Sequence, residues 1–70
     1  MKLKPLEWND SNEAELGDYS IRVRYMYGAS IYEVRLLGMQ LQSATAQTIE
    51  EAKAQAQEWI HNYIIQMYLT

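Results

Sequence analysis

Few side chains in this sequence are equipped for covalent or acid–base chemistry. His61 is the single histidine, cysteine is absent, and no serine has a base at a spacing that would activate it. Nucleophilic catalysis needs such a pair within hydrogen-bond reach, and a metal needs several convergent donors. Carboxylates come in two pairs, Glu13/Glu15 and Glu50/Glu51. Paired acids cleave glycosides only inside a cleft that holds one of them protonated. A chain of 70 residues has a thin core and little volume for such a cleft. An enzyme, a cofactor and a metal site are therefore not expected. His61 reads as a structural or interfacial residue. Inside a subunit interface its protonation would weaken assembly.

Three arginines carry the remaining chemistry. Arg22, Arg24 and Arg35 alternate with apolar residues, so they share one face of a two-stranded pattern. Arginines held together on a sheet invite an anion between them: Glu7, a partner's acidic surface, or the phosphates of a nucleic acid or nucleotide. Met26 and Ile31 flank this patch. The formal net charge is −3, which argues against a protein that coats nucleic acid nonspecifically but leaves room for a local basic patch.

These residues must be positioned by two kinds of element. Tyr19, Ile21, Val23 and Tyr25 alternate with Ser20, Arg22, Arg24 and Met26, and the pattern resumes with Tyr32, Val34 and Leu36 against Ile31, Glu33 and Arg35. Gly28-Ala29 between the runs suits a type II′ hairpin turn. That turn pairs Tyr25 with Tyr32, Val23 with Val34 and Ile21 with Leu36 on the core face, and on the other face sets Arg24 against Glu33 and Arg22 against Arg35. Gly38 reads as the end of the ladder or a bulge, with Met39 and Leu41 carrying the strand into a polar connection, 42–47. Leu6-Glu7-Trp8 reads as a first short strand, 9–12 as a turn, and Ala14 to Leu16 as a further short strand or part of the next one. The expected strands are about 4–9, 18–27 and 30–41.

The last element is a helix over about 49–69. Thr48-Ile49-Glu50-Glu51 has the form of a capping box, with acids in the first turn. At ~100° per residue, Ile49, Ala52, Ala56, Trp59, Ile60, Tyr63, Ile64 and Met67 share the face that lies on the sheet. A second stripe, His61, Ile65, Tyr68 and Leu69, appears only near the end and reads as an oligomer or partner interface, or as a helix end tucked under the N-terminal segment. Of the eight aromatic residues, Tyr19, Tyr25, Tyr32, Tyr63, Trp8 and Trp59 are expected in the core, and Tyr27 and Tyr68 free for binding. The fold class expected is α+β: one domain, 1–70, with a three- to four-stranded antiparallel meander against one long C-terminal helix.

Leu6-Glu7-Trp8, then Ala14 with Gly17-x-Tyr19-x-Ile21, then a Gly-containing turn and Thr48-x-x-Glu51-Ala52-Lys53 opening a helix, form an order that resembles small uncharacterised proteins encoded by tailed bacteriophages and prophages. The arrangement is more loosely similar to the AP2-like arm-binding domains of phage integrases and to HicB antitoxins. The resemblance implies a small accessory protein in the cytoplasm of a bacterial host, binding a host or phage protein and inhibiting host machinery such as defence systems. A homo-oligomer is a further expectation; a membrane location is not, because the apolar stretch is too short and interrupted. Two other functions remain open: a nucleic-acid-binding module using the arginine face, and an oligomeric sequesterer of small anions such as nucleotides.

Overall fold

A computed structural model of the chain describes residues 6–69, with side chains to Met67. Four strands, β1 (Glu13–Leu16), β2 (Tyr19–Met26), β3 (Ala29–Leu36) and β4 (Met39–Ala46), precede one helix, α1 (Ile49–Leu69). The strands pair antiparallel in the order β1-β2-β3-β4, and α1 lies over β3 and its neighbours on one face: an α+β meander.

The helix starts where the sequence places it. The Thr48 hydroxyl accepts the Glu51 amide at 3.0 Å, and the Thr48 carbonyl accepts the Ala52 amide at 2.9 Å. The returning half of the capping box does not form; the Glu51 carboxylate instead takes the Gln55 side-chain amide one turn on, at 3.4 Å. Ala52, Ala56, Ile60 and Ile64 are buried against Ile21, Val23, Tyr32 and Val34, while Ile49, Trp59 and Tyr63 pack on the margin of this core. Small residues bring the helix close to the sheet in its first half, and large ones fill the space in its second. Trp59 and Tyr63 stack at 5.0 Å, and Tyr19 meets Tyr63 edge-on at 6.2 Å. Met67, expected on the packed face, is 56% exposed. A helix of 21 residues runs about 31 Å, against about 26 Å for a strand of eight, so its last turn overhangs the sheet.

The hairpin turns correct the register. Met26 pairs with Ala29, so the β2–β3 loop is Tyr27-Gly28 and not Gly28-Ala29. Both loop residues have positive φ, 54° and 78°, as a type I′ turn requires. The ladder moves by two residues: Val23 faces Tyr32, Ile21 faces Val34 and Tyr19 faces Leu36. A shift of two leaves every side chain on its expected face. It changes the neighbours, however. Arg22 now faces Glu33, and Arg35 faces Ser20, so the Arg22–Arg35 opposition vanishes. Removing a like-charge pair favours this register electrostatically. Tyr25, expected in the core opposite Tyr32, instead faces Ser30 near the hairpin tip and is 63% exposed.

The expected strand 30–41 is interrupted at Leu37-Gly38, a second turn with both φ positive, 50° and 87°. The polar stretch after it is not a connection but β4. Opposite the Val34/Arg35 step, Gln42 and Gln40 are successive partners, leaving Leu41 as the extra residue of a bulge. The expected strand 4–9 is also corrected. Residues 4 and 5 lie outside the described residues, and 6–9 form no strand. Leu6 is buried and its amide donates to Gln57 Oε1 on the helix at 2.9 Å, while Lys53 Nζ sits 5.5 Å from the Trp8 ring centre. The first edge strand is β1, launched by Asn9, whose side-chain oxygen accepts the Ser11 and Glu13 amides.

Ser30 is 0% exposed and its hydroxyl has no hydrogen-bond partner among the described residues. An unpaired buried hydroxyl is destabilising. Ser30→Ala is therefore expected to raise the unfolding free energy by about 1 kcal/mol, read as a higher urea midpoint at unchanged slope; a loss of stability would show that the hydroxyl is satisfied.

Candidate functional site

The sheet face away from the helix carries no second layer among the described residues. Its side chains form rows across the strands. Glu13, Arg22, Glu33 and Ser43 make one row, and Arg24, Ile31 and Thr45 the next. Arg22 Nε lies 3.3 Å from Glu13 Oε2. Arg35 Nε lies 3.3 Å from Glu33 Oε2, close enough for ion pairing, but misaligned, so neither atom has a hydrogen-bond partner among the described residues. Acids and bases alternate along the first row, so Arg22 stands between two carboxylates. Arg24 is the arginine of the three that is exposed and makes no ion pair among the described residues. The anion patch expected from Arg22, Arg24 and Arg35 is thus split, with two members committed to glutamates. Partly exposed pairs of this kind are individually weak, but they lower the positive potential that a phosphate would meet.

Beside β1, a groove of about 390 Å³ holds Glu7, Glu13 and Glu15 with Arg22 on its wall. Among the described residues no group of three or more His, Cys, Asp or Glu is placed to hold a metal ion. A second groove, about 470 Å³ and mostly apolar, lies between Leu16, Gly17, Tyr19, Ile64 and Met67 under the overhanging helix.

The second helix stripe is only partly in view. His61 and Ile65 are half-buried, and the side chains of Tyr68 and Leu69 lie outside the described residues. His61 Nε2 is buried and has no hydrogen-bond partner among the described residues. Gln57, His61 and Ile65 are spaced four apart, so His61 and Ile65 continue down the flank that Leu6 joins at Gln57.

The apolar side chains most open to solvent cluster at the ends of the sheet. At the β2–β3 tip, Tyr27 is 98% exposed, beside exposed Tyr25 and Met26. At the opposite end Leu37 is 80% exposed, beside Met39 and Met67. Tyr27 was legible as a free aromatic; Leu37 and Met39 were not, because nothing in their residue types signals a turn. Both Tyr27 and Leu37 occupy the left-handed region, where a bulky side chain costs roughly 1–2 kcal/mol and where Asn or Gly is preferred. Both are exposed, so neither gains packing among the described residues that would offset that cost.

Comparisons of the chain with known protein families, with curated proteins and with solved structures found no match.

The split arginine face makes a prediction about nucleic acid. Fluorescence anisotropy with a labelled duplex is expected to show no binding at physiological salt. Binding that weakens steeply with salt and is lost in Arg22→Ala/Arg24→Ala would restore the arginine face as a phosphate site.

Proposed function

We propose that this chain is a protein-binding module whose anchor is the β2–β3 hairpin tip, Arg24 to Tyr27. The observation that carries the reading is Tyr27: a tyrosine held almost wholly in solvent, in a backbone conformation that suits Asn or Gly better. Strain that gives the fold nothing is a reason to look for a use elsewhere. Tyr25, Met26 and Arg24 around it are of the types enriched at protein interfaces, and a rigid two-residue turn holds them with little ordering left to do.

The likeness of the Leu6-Glu7-Trp8, Gly17-x-Tyr19-x-Ile21 and Thr48-x-x-Glu51-Ala52-Lys53 order to small phage proteins supports a host cytoplasm as the setting. A host protein, including a component of defence machinery, is then the target, and inhibition by occupation the mode of action. Among the described residues no helix is long and apolar enough to cross a membrane.

Tyr27→Asn separates binding from folding because the two move in opposite directions. Asn tolerates the left-handed turn, so the variant is expected to gain about 0.5–1 kcal/mol, a melting temperature higher by roughly 4 °C. Its capture of a bacterial host protein, quantified against the unmodified chain, is expected to fall at least ~30-fold, the effect of losing one anchoring aromatic. A stabilised variant with the same captured partners at the same level would remove the tip from the binding surface.

A further inference from the structure

The two edges of the sheet are protected very differently. β1 is four residues long and carries Glu13 and Glu15, which discourage another strand from pairing with it. β4 is eight residues long, reads Met-Gln-Leu-Gln-Ser-Ala-Thr-Ala, and holds neither a charge nor a proline. Its one irregularity is the bulge at Leu41, which leaves 42–46 straight. In a chain where 21% of residues are charged and each of the other three strands carries two charges, this edge stands out.

The turns fix which backbone groups of β4 face outward. A two-residue hairpin closes on a hydrogen-bonded pair, and bonded and non-bonded pairs then alternate. Closure at Leu36–Met39 makes Val34, Tyr32 and Ser30 the β3 residues that bond to β4, through Gln42, Ala44 and Ala46. Closure at Met26–Ala29 makes Ala29, Ile31 and Glu33 the residues that bond to β2, so both turns give the same assignment. Ser43 and Thr45 therefore turn their amides and carbonyls to the open edge.

We propose that a second copy of this chain pairs with that edge, β4 against β4 antiparallel, joining the two sheets into one of eight strands. A two-fold axis through Ala44 sets Ser43 against Thr45 of the other copy and Gln42 against Ala46, using the whole straight segment. On the outer face the opposed residues are small hydroxyls, a favourable cross-strand pair. On the helix face Ala44 meets its own copy and leaves room. Symmetric pairing sets the strand's residues near their own counterparts, so any charge there would be repelled, and β4 has none.

The helix above continues the same character. Leu6 and Trp8 contact Gln57 and Lys53 on one flank, and Trp59 lies about 160° around the helix from Gln57, stacked on Tyr63, which meets Tyr19 of β2. By helical spacing Gln55, Asn62 and Gln66 share the side of the helix away from Gln57, and none is charged. Helices centred on β3 of each copy stand three strand spacings apart, about 14 Å, wider than the roughly 10–12 Å diameter of a helix with its side chains, so the pairing brings no clash between them. A thin single core gains most from such an addition. The pairing leaves both hairpin tips free and does not depend on what Tyr27 binds.

Light scattering on the unmodified chain is expected to give twice the 8.2 kDa chain mass at micromolar concentration. Hydrogen exchange is expected to find the Ser43 and Thr45 amides as slow as those of Ala44 and Ala46, and to speed up on dilution. Ser43→Lys with Thr45→Lys, which opposes lysines across the axis, is expected to give a monomer with an unchanged far-UV circular dichroism spectrum. A monomer in the unmodified chain overturns the proposal and leaves the edge to a foreign strand. A dimer in which the Ser43 and Thr45 amides exchange fast, or one that survives both lysines, overturns it by placing the interface elsewhere. The exchange measurement is made on the unmodified chain, so it decides the matter even where the double variant does not fold.

Discussion

Everything in this fold depends on one contact, the packing of α1 across β3. The buried side chains lie in that single layer, from Ala52 and Ala56 at one end to Ile60 and Ile64 at the other. The helix straddles β3, so it also holds β2 and β4, whose own ladders carry little apolar surface beyond Ile21 and Val23. The alanines matter as much as the isoleucines. Without a close approach near Thr48, the helix would stand away from Ser30, Ala44 and Ala46, which have no bulk with which to reach it. A two-layer domain of this size has no spare interior, and any group larger than the one it replaces must displace backbone.

The opposite sheet face handles its exposure by charge arrangement instead of by cover. Glu13, Arg22 and Glu33 alternate in sign along one row, and the charged heads of Arg22 and Arg35 reach the Glu13 and Glu33 carboxylates. The pairing lowers the positive potential that the arginines would otherwise present. The apolar groups left in solvent are gathered at the strand ends.

How much of this was legible in the sequence varies by element. The period-two pattern of residues 19–26 and 30–36 identified both central strands and the face of every residue in them. The helix, its cap and its core stripe were legible because apolar residues recurred on one face with the helical period of ~3.6 over about five turns. The register was not, because Gly28 fits either position of a two-residue turn, and only the turn with a tyrosine in the left-handed region avoids setting Arg22 against Arg35. β4 was not legible because Gln42, Ser43, Ala44 and Ala46 have no strand preference of their own; the ladder from β3 and the helix above impose the conformation. Leu6 and Trp8, read as part of a first short strand, pack against the helix instead of joining the sheet. Of the candidate site residues, Arg22, Arg24 and Arg35 share the expected face, yet their pairing with glutamates depended on the register and could not be read from spacing.

The two-residue turns have a consequence for how the molecule forms. Each strand of this meander pairs with the next in sequence, across loops of the shortest kind, so every ladder closes with little loss of chain entropy. The contacts that span long stretches of sequence are those of the helix with the sheet and of Leu6 with Gln57, 51 positions apart. Sheet pairing in most β-rich folds is slow because distant strands must find each other before any contact rewards them. Here the search is local for the sheet, and the long-range contacts left to form are those of the helix and the N-terminal segment.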